Sequence, residues 1–268
     1  MKGMRNSTLV CLLMAVVMCG GCAAPPRSAP MIDPARIVDL SYSFGPDTIY
    51  WPTAQPFKMQ RVAWGRTPGG HFYYANNISM AEHGGTHLDA PLHFAEGKMT
   101  ADQVPLASCI GPACVIDVSA QAARDADYRM TVNDIRKWEA KHGRLPRGAI
   151  VVLYSGWGQR WPDKKRYLGT DAPGDVQNLH FPGYSREAAE FLVNERSVAA
   201  VATDTASIDH GPSKDFIAHQ IVGGANKPAF ENVANVERLP PRGATFVALP
   251  LKIERGSGGP ARIIAVLP

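Results

Sequence analysis

Cysteine is scarce in this sequence, and its few positions exclude a thiolate metal site. The five cysteines are Cys11, Cys19, Cys22, Cys109 and Cys114. No two of them have the CxxC spacing that is typical of zinc sites. The GxSxG elbow of serine hydrolases and the HExxH helix of zincin proteases are also absent. In an exported protein, Cys109 and Cys114 can form a disulfide or remain as buried thiols.

The sequence carries little net charge of either sign. It has 28 Lys and Arg residues and 24 Asp and Glu residues, a formal net charge of +4. Loss of a leader that contains Lys2 and Arg5 leaves 26 basic and 24 acidic residues, a net charge of +2. No basic stripe with interleaved aromatic residues occurs, so the composition excludes the electrostatic footprint of a nucleic-acid-binding domain.

A short apolar run near the N-terminus is typical of a signal peptide. Residues 8–19 are apolar but fall short of the roughly 20 residues that a membrane-spanning helix needs. They follow the basic residues Lys2 and Arg5, and this order of basic and apolar segments marks a secretory leader. The sequence therefore predicts an exported protein.

The residues after this run resemble a bacterial lipobox. The run Cys19–Cys22 places a cysteine where lipid is attached, although Cys19 stands where leucine is usual. We predict a lipoprotein-type signal peptide over residues 1–22, with Cys22 as the lipidated first residue of the mature chain. Ordinary signal cleavage near residues 23 and 24 is the alternative. Residues 23–35 are predicted to be a flexible tether. The protein is predicted to be a periplasmic or cell-envelope lipoprotein that contacts the membrane only through its lipid.

Beyond residue 35, the pattern indicates one α/β domain. Apolar runs of strand length occur at residues 113–118, 149–154, 198–203, 245–251 and 261–267. Thr131 and Asp134 form a capping-box pattern that predicts a helix ending at Gly143. Ser185 is placed to cap a second helix. We predict a single domain over residues 36–268 with a mixed sheet and no internal repeat.

Three histidines and one aspartate lie within eleven residues of the chain. The run is His83-Gly-Gly-Thr-His87-Leu-Asp89-Ala-Pro-Leu-His93. Imidazole and carboxylate groups are ligands that Zn²⁺ and Mn²⁺ accept. A catalytic site uses three protein ligands and keeps a further position open for water or substrate. The cluster therefore predicts a catalytic metal site with a fourth polar group beside it.

The glycines and the proline of this run argue against a helix. An extended chain over residues 87–93 would place His87, Asp89 and His93 on one side, because successive side chains of a strand alternate. A bend at residues 84 and 85 would then turn His83 towards them. We expect an extended segment that reaches His93.

A second polar cluster follows the strand predicted at residues 198–203, where loops often carry function. It contains Asp204, Asp209, His210, His219 and Glu231. Asp204 and Asp209 are suited to capping turns, and His210 to an exposed loop. The gap between His219 and Glu231 has no fixed geometry, so spacing leaves a metal-binding role and a structural role both open for them.

The run at residues 83–94 matches the HxGTHxDxPxHF signature of the cyclase family of metal-dependent hydrolases, with Phe94 as its last residue. This family includes bacterial kynurenine formamidases and isatin hydrolases. The resemblance covers nearly all of residues 36–268: Ile37–Ser41 resembles the family's opening strand, and Asp204–Asp209, His219 and Glu231–Val233 resemble its C-terminal half. The runs closer to the isatin hydrolase branch are Asn77–Met80, Ser213–Phe216, Phe230–Asn235 and Gly256–Pro260.

The resemblance implies a three-layer β/β/α fold with a mixed sheet, assembled as a homodimer or a larger homo-oligomer. It implies that His83, His87 and Asp89 hold a divalent ion, Mn²⁺ or Zn²⁺. In the two-metal pattern of the formamidases, Asp89 bridges to a second ion held by His219 and Glu231. The isatin hydrolase branch has a single Mn²⁺, so one ion and two ions both stay open.

The resemblance also implies that His93 is the catalytic acid/base. The implied activity is hydrolysis of a C–N bond in a small cyclic amide or an aryl formamide by metal-activated water, with no serine or cysteine nucleophile. Aromatic residues near the motifs, among them Trp51, Trp64 and Trp157, are candidates to line a pocket for a planar ring. A lactonase or another C–O hydrolase is one alternative, and a non-catalytic metal- or solute-binding lipoprotein is the other.

Overall fold

Runs rich in β-branched and small apolar residues form central strands of the main sheet, such as β5, β7 and β9, whose bounds are given below. The computed structural model describes residues 32–268, so the predicted signal peptide, Cys22 and residues 23–31 lie outside the described residues. The strands are β1 (Ile37–Asp39), β2 (Lys58–Arg66), β3 (Phe72–Ser79), β4 (His87–Asp89), β5 (Ile110–Asp117), β6 (Arg129–Met130), β7 (Ile150–Tyr154), β8 (Gly183–Tyr184), β9 (Ala200–Thr203), β10 (Ala229–Glu231), β11 (Arg242–Pro250) and β12 (Gly258–Val266).

Eight strands of the described chain form the main sheet, in the order β1-β12-β11-β5-β7-β9-β10-β4. The strands β5, β7, β9 and β10 run parallel to one another, and the remaining pairs are antiparallel. β12 pairs with β4 through its first three residues and with β1 through its last three. The pairing of β4 with β12 closes seven strands into a barrel-like ring. The predicted mixed sheet is confirmed.

The two helices predicted from capping signals are present among the α-helices of the described chain. The α-helices are α1 (Leu106–Cys109), α2 (Ser119–Ala122), α3 (Val132–His142), α4 (Lys164–Leu168), α5 (Arg186–Glu190) and α6 (Ile217–Gly224). The backbone N–H of Asp134 donates to the Thr131 hydroxyl, and Asp134 accepts in return from the Thr131 N–H. The N–H of Ala188 donates to Ser185 at the start of α5. Both predicted caps are confirmed. No helix among the described residues is long and apolar enough to cross a membrane.

Two hydrophobic cores lie on opposite sides of the sheet. The core inside the ring contains Leu40, Leu88, Phe230, Phe246 and Ile263. The other core packs the ring against α3, α5 and α6. Along β5, Val115 enters the first core, whereas Cys114 and Ile116 enter the second, because neighbouring side chains of a strand alternate. Two strand layers and one helix layer result, which agrees with the predicted β/β/α fold.

Cys109 and Cys114 are free, buried thiols in this structure. Cys109 belongs to the core inside the ring and Cys114 to the core beneath the helices, so the sheet separates them. Burial raises the pKa of both thiols to about 11. Of the two alternatives left open by the sequence, the structure has the buried thiols.

Candidate metal centre

Two glycines shape the loop that carries the histidine motif. Gly84 has a φ of +154° and Gly85 a φ of +56°. A Cβ at Gly84 would lie 2.1 Å from the ring of Tyr50, which leaves room for no other residue type. The chain therefore bends between His83 and His87, as predicted.

The extended segment after this bend is shorter than the sequence predicts. The strand β4 ends at Asp89, and Pro91–His93 form a 3-10 turn in which the His93 N–H donates to the Ala90 carbonyl at 2.9 Å. Proline lacks the N–H of a strand ladder and suits the first position of a helical turn. The prediction of an extended chain through His93 is therefore wrong, but the turn still returns His93 to the site.

His83, His87 and Asp89 form a first group of candidate ligands. Each offers one ligand atom, and these atoms lie within 4.8 Å of one another. The Nδ1 atom of His83 is 2.6 Å from Asp89 Oδ1, and the Nε2 atom of His87 is 3.1 Å from the same oxygen. The donor set of two imidazoles and one carboxylate suits Zn²⁺ or Mn²⁺.

Asp89, His219 and Glu231 form a second group. The strand β10 pairs with β4 so that Glu231 lies directly opposite His87. The first turn of α6 carries His219, whose Nε2 atom is 2.9 Å from Asp89 Oδ2 and 3.1 Å from Glu231 Oε1. Asp89 thus offers one oxygen to each group, which is the arrangement expected of a bridging carboxylate.

The hydrogen bonds of His87 leave a lone pair that faces only acceptors. Its Nδ1–H donates to the Gly85 carbonyl at 2.9 Å, so Nε2 carries the lone pair. Nε2 is buried without a hydrogen-bond partner in the described chain, and it lies 3.1 Å from Asp89 and 3.5 Å from Glu231. Buried acceptors that face one another are unfavourable unless a cation lies between them. The residues present therefore fit a metal ion.

The other two histidines are oriented by residues that the sequence does not single out for this purpose. Asp209 accepts from His219 Nδ1 at 2.7 Å, so it orients a histidine and does more than cap a turn. The Ser257 hydroxyl donates to Glu82 at 2.5 Å and accepts from His83 Nε2 at 2.9 Å. Each imidazole is therefore held so that its remaining lone pair faces the carboxylates, as in known metal sites.

Buried carboxylates make this site strongly attractive to a cation. Burial alone would lower the pKa of His219, but hydrogen bonds to Asp209, Asp89 and Glu231 raise that pKa well above its usual value. Burial also opposes the charge of His87, yet Asp89 and Glu231 produce a net rise in its pKa. The pKa of Glu231 is raised by burial and by the charge of Asp89. The site therefore favours positive charge, which a divalent ion supplies.

His93 lies beside the two ligand groups and belongs to neither. Its ring stacks on the ring of His83 with 3.7 Å between centroids, and its centroid is 6.0 Å from that of His219. Burial lowers the pKa of His93 to about 4, although Asp89 opposes the shift. The imidazole is consequently neutral at neutral pH and can accept a proton.

A cavity of about 260 Å³ opens above these groups. His83, His87, Asp89, His219 and Glu231 form its polar floor. Its apolar wall includes Ile49, Trp51, Phe94 and Phe216. The ring centroids of Phe94 and Phe216 are 5.0 Å apart, and those of Trp51 and Phe216 are 5.9 Å apart. An apolar cleft with a few convergent polar groups is typical of a small-molecule site.

The remaining candidates from the sequence lie outside the cavity. Trp64 is exposed on the hairpin of β2 and β3, and Trp157 is buried in a separate small core. Asp204 is buried and accepts from the backbone N–H groups of Ser155 and Trp157, which is a structural role. His210 does not line the cavity.

Comparisons with known proteins agree with this geometry. The Cyclase family model matches residues 38–210. An isatin hydrolase of Roseibium aggregatum is 35% identical over 207 residues, which cover 74% of this chain and 77% of that protein. A kynurenine formamidase of Salinibacter ruber is 27% identical over 230 residues, which cover 85% of this chain and 96% of that protein.

A solved structure extends the agreement to the fold. Isatin hydrolase A from Ralstonia solanacearum superposes with a TM-score of 0.80 at 34% identity, covering 92% of this chain and all of that one. The family match alone spans more than half of the sequence. The chain therefore belongs to the cyclase family of metal-dependent hydrolases, enzymes that act on carbon–nitrogen amide bonds.

Proposed function

We propose that this enzyme hydrolyses the C–N bond of a small cyclic amide of the isatin type, or of an aryl formamide of the N-formylkynurenine type. The observation that carries the proposal is the convergence of His83, His87, Asp89, His219 and Glu231 on the floor of an aromatic-walled cavity. A cyclic amide is the first candidate, because the two isatin hydrolases compared above are 34–35% identical to the chain and the compared formamidase is 27% identical.

In this proposal the two groups hold one or two divalent ions, Mn²⁺ or Zn²⁺. His83, His87 and Asp89 would bind the first ion, and Asp89 would share a second with His219 and Glu231. A bound divalent ion polarises a carbonyl oxygen and lowers the pKa of water from 15.7 towards about 7. The neighbouring acceptors keep the lone pairs of the three imidazoles directed at the carboxylates.

His93 would move the proton during hydrolysis. Its imidazole is neutral at neutral pH because burial lowers its pKa, so it can take a proton from the attacking water. The protonated ring can then give the proton to the nitrogen that leaves the carbonyl carbon. Stacking on His83 fixes the plane of the ring. General acid–base assistance of this kind typically accelerates a reaction by about 10²–10⁴-fold.

The apolar wall would bind the aromatic part of the substrate. Trp51, Phe94 and Phe216 surround one side of the cavity. Planar rings gain from offset or edge-on contact with aromatic side chains, about 0.5–1.5 kcal/mol per pair beyond the buried area. The wall therefore favours a planar aromatic amide over an aliphatic one.

Metal-dependent turnover tests the proposal. The full chain is stripped with a chelator, reloaded with Mn²⁺ or Zn²⁺, and assayed with isatin and with N-formylkynurenine while the bound metal is quantified. We expect reloading to restore hydrolysis of at least one compound, with isatin the faster. Bound metal without turnover of either compound would contradict the substrate assignment. Faster cleavage of a matched aromatic lactone would favour the C–O hydrolase alternative.

We also propose that the chain is exported and anchored by lipid on Cys22, on the strength of the sequence of residues 1–22. Cells that express the chain would be labelled with a radioactive fatty acid. We expect the label on the native chain and on a Cys19→Ser variant, and no label on Cys22→Ser. Equal labelling of native chain and Cys22→Ser would rule out this anchor.

A further inference from the structure

Asn232 lies between the two candidate ligand groups and has an uncommon backbone conformation. It follows Glu231, the last residue of β10, and it lines the cavity. Its φ is +52°, in the left-handed region that few residues other than glycine adopt. Asparagine tolerates this region because its short side chain can bond to nearby backbone. The Asn232 side chain instead bonds to a loop 147 positions earlier in the chain.

The Asn232 amide holds the carbonyl group that orients His87. Its Nδ2 atom donates to the Gly85 carbonyl oxygen at 2.7 Å. The same oxygen accepts from His87 Nδ1 at 2.9 Å. A carbonyl oxygen has two lone pairs, so these two donors satisfy it fully. The group that fixes the ring of His87 is therefore itself fixed by Asn232.

Tyr167 sets the orientation of this amide. The Gly85 oxygen can only accept, so the amide nitrogen of Asn232 must face it and the amide oxygen must face away. The amide oxygen accepts from the Tyr167 hydroxyl at 2.9 Å. That hydroxyl also lies 2.8 Å from the Asp204 carbonyl oxygen, so one hydrogen serves two acceptors. Burial raises the pKa of Tyr167 well above its ordinary value, so the hydroxyl keeps its proton and remains a donor.

The backbone of Asn232 binds the same loop at a second point. Its carbonyl accepts from the Thr86 hydroxyl at 2.7 Å, and its N–H donates to the Thr205 carbonyl at 2.9 Å. Thr86 is fully buried and directly precedes His87. Asn232 thus holds the loop of the first ligand group, while its chain neighbour Glu231 belongs to the second group.

We propose that Asn232 is a positioning residue for His87. Its amide, held by Tyr167, keeps the Gly85 carbonyl at Nδ1 of the ring, so the Nε2 lone pair faces the carboxylates of the site. The other tautomer carries its hydrogen on Nε2 and cannot bind an ion through that atom. The same contacts set the spacing of the two ligand groups before an ion binds. This inference rests on the metal centre of the proposed function and is independent of its substrate.

Asn235 provides a matched control outside the site. It also has a left-handed φ, of +54°, and its Nδ2 atom donates to the Asp39 carbonyl at 2.8 Å. It is exposed and does not line the cavity. Glycine adopts the left-handed conformation freely. A glycine at either position therefore keeps the backbone and removes only the side-chain bonds.

Metal affinity tests the role of the amide. Calorimetric titration of the chelator-treated full chain with Zn²⁺ would compare the native chain, Asn232→Gly and Asn235→Gly. We expect the Kd to rise by about 10–100-fold in Asn232→Gly, as is typical when a ligating histidine loses the groups that orient it. Asn235→Gly should bind as the native chain does. Tyr167→Phe keeps the amide but removes its support, so its Kd should rise less than that of Asn232→Gly.

A spectroscopic signature separates positioning from general stabilisation. In the Zn²⁺-loaded chain labelled with ¹⁵N-histidine, NMR detects the Nδ1–H of His87, and His87→Gln assigns the signal. We expect Asn235→Gly to keep this signal at its native position and Asn232→Gly to shift it or lose it to exchange with water. Circular dichroism verifies folding. Asn232→Asp, which has the same shape without the amide N–H, replaces Asn232→Gly if that variant unfolds.

Three results would overturn the proposal: a native Kd in folded Asn232→Gly, an unchanged His87 signal in that variant, or an equal rise of the Kd in Asn235→Gly. A failure of the substrate assignment is a separate outcome. A native chain that binds metal but cleaves neither isatin nor N-formylkynurenine contradicts that assignment and leaves the Asn232 measurements valid. A native chain that binds no divalent ion contradicts both.

Discussion

Single side chains in the site have separable tasks. Asp89 gives an oxygen to each ligand group, Asp209 orients one histidine, and His93 stacks beside the ligands without joining them. Substitution of each residue should therefore change a different measured quantity.

His93→Gln should separate proton transfer from metal binding. We expect kcat to fall by about 10²–10⁴-fold, because His93 is the general acid–base group of the proposed mechanism. Metal content, measured by elemental analysis after gel filtration, should stay at the native level. Loss of metal together with activity would make His93 a ligand.

Asp209→Asn should weaken metal binding through His219. The carboxylate accepts from the ring and from the backbone of His219, and loss of such a partner typically costs about 10–100-fold in metal affinity. Calorimetric titration with Mn²⁺ or Zn²⁺ measures the change. Asp215→Asn, an exposed carboxylate near the same helix, is the matched control and should bind metal as the native chain does.

Asp204 should make stability depend on pH. Burial raises its pKa to about 6 from an ordinary value of 3.8, so the folded state binds a proton that the unfolded state releases. This group therefore favours folding below about pH 4, and its contribution falls as the pH rises to about 6. The loss is of the order of 2–3 kcal/mol. Denaturant unfolding at several pH values should show a flatter dependence for Asp204→Asn than for the native chain.

The sequence predicts the candidate ligands better than the residues that orient them. The motif at residues 83–93 is local, so its composition alone indicates a metal site. Ser257 is 174 residues from His83, and serine has no metal-ligand signature. Phe94 ends the family signature, and Phe216 and Ser257 lie in runs that resemble the isatin hydrolase branch. These runs do not show which side chains the fold brings together.

The loop between β11 and β12, together with the first residue of β12, packs against His83 and holds it in place. Gly258 pairs with Asp89, and a Cβ at Gly258 would lie 2.5 Å from His83 Cε1 and 2.4 Å from the Leu88 carbonyl. The glycine-rich run therefore permits the close approach that the site requires.

Gly258→Ala should displace His83 and weaken the first ligand group. We expect metal affinity to fall by at least about 10-fold, since the ligand and its Ser257 partner both move. Gly45→Ala is the control, because its Cβ would meet nothing within 4 Å. Equal affinity of the two variants, measured by titration with the same ion, would contradict this role for the loop.

Elements with local signals are predicted well from sequence, and elements without them are not. The helices α3 and α5 follow the N-cap residues Thr131 and Ser185, each of which bonds to the residue three positions later. The strand β4 lies within the extended segment predicted over residues 87–93, but it has only three residues. The hairpin of β2 and β3 was not predicted, although Pro68-Gly69-Gly70 between its strands is a turn signal.

For the whole molecule, the two ligand groups should couple metal binding to stability. An ion that binds only the folded state adds about 2.7 kcal/mol to the free energy of unfolding at a concentration 100 times its Kd. Thermal unfolding of the chelator-treated chain should therefore shift upward on addition of Mn²⁺ or Zn²⁺. His93→Gln should show the same shift, and Asp89→Ala should show none. A shift in Asp89→Ala would place the ion elsewhere.

The closure of the ring is a long-range property that no sequence window contains. β4 pairs with β10 on one side and with β12 on the other, and these strands are far apart in sequence. The order of strand and helix signals predicts the mixed sheet. The pairs that close the ring, β4 with β10 and β4 with β12, involve only three residues of each strand and have no such signal.

The position of β4 gives the candidate ion an architectural consequence. The seam of the barrel is formed by β4, by three residues of β10 and by the first three residues of β12. Candidate ligands from β4, β10 and α6 meet at that seam, so a bound ion would crosslink a short join of the ring. Amide hydrogen exchange should accordingly quicken at the seam when the metal is removed, while β5, β7 and β9 keep their protection.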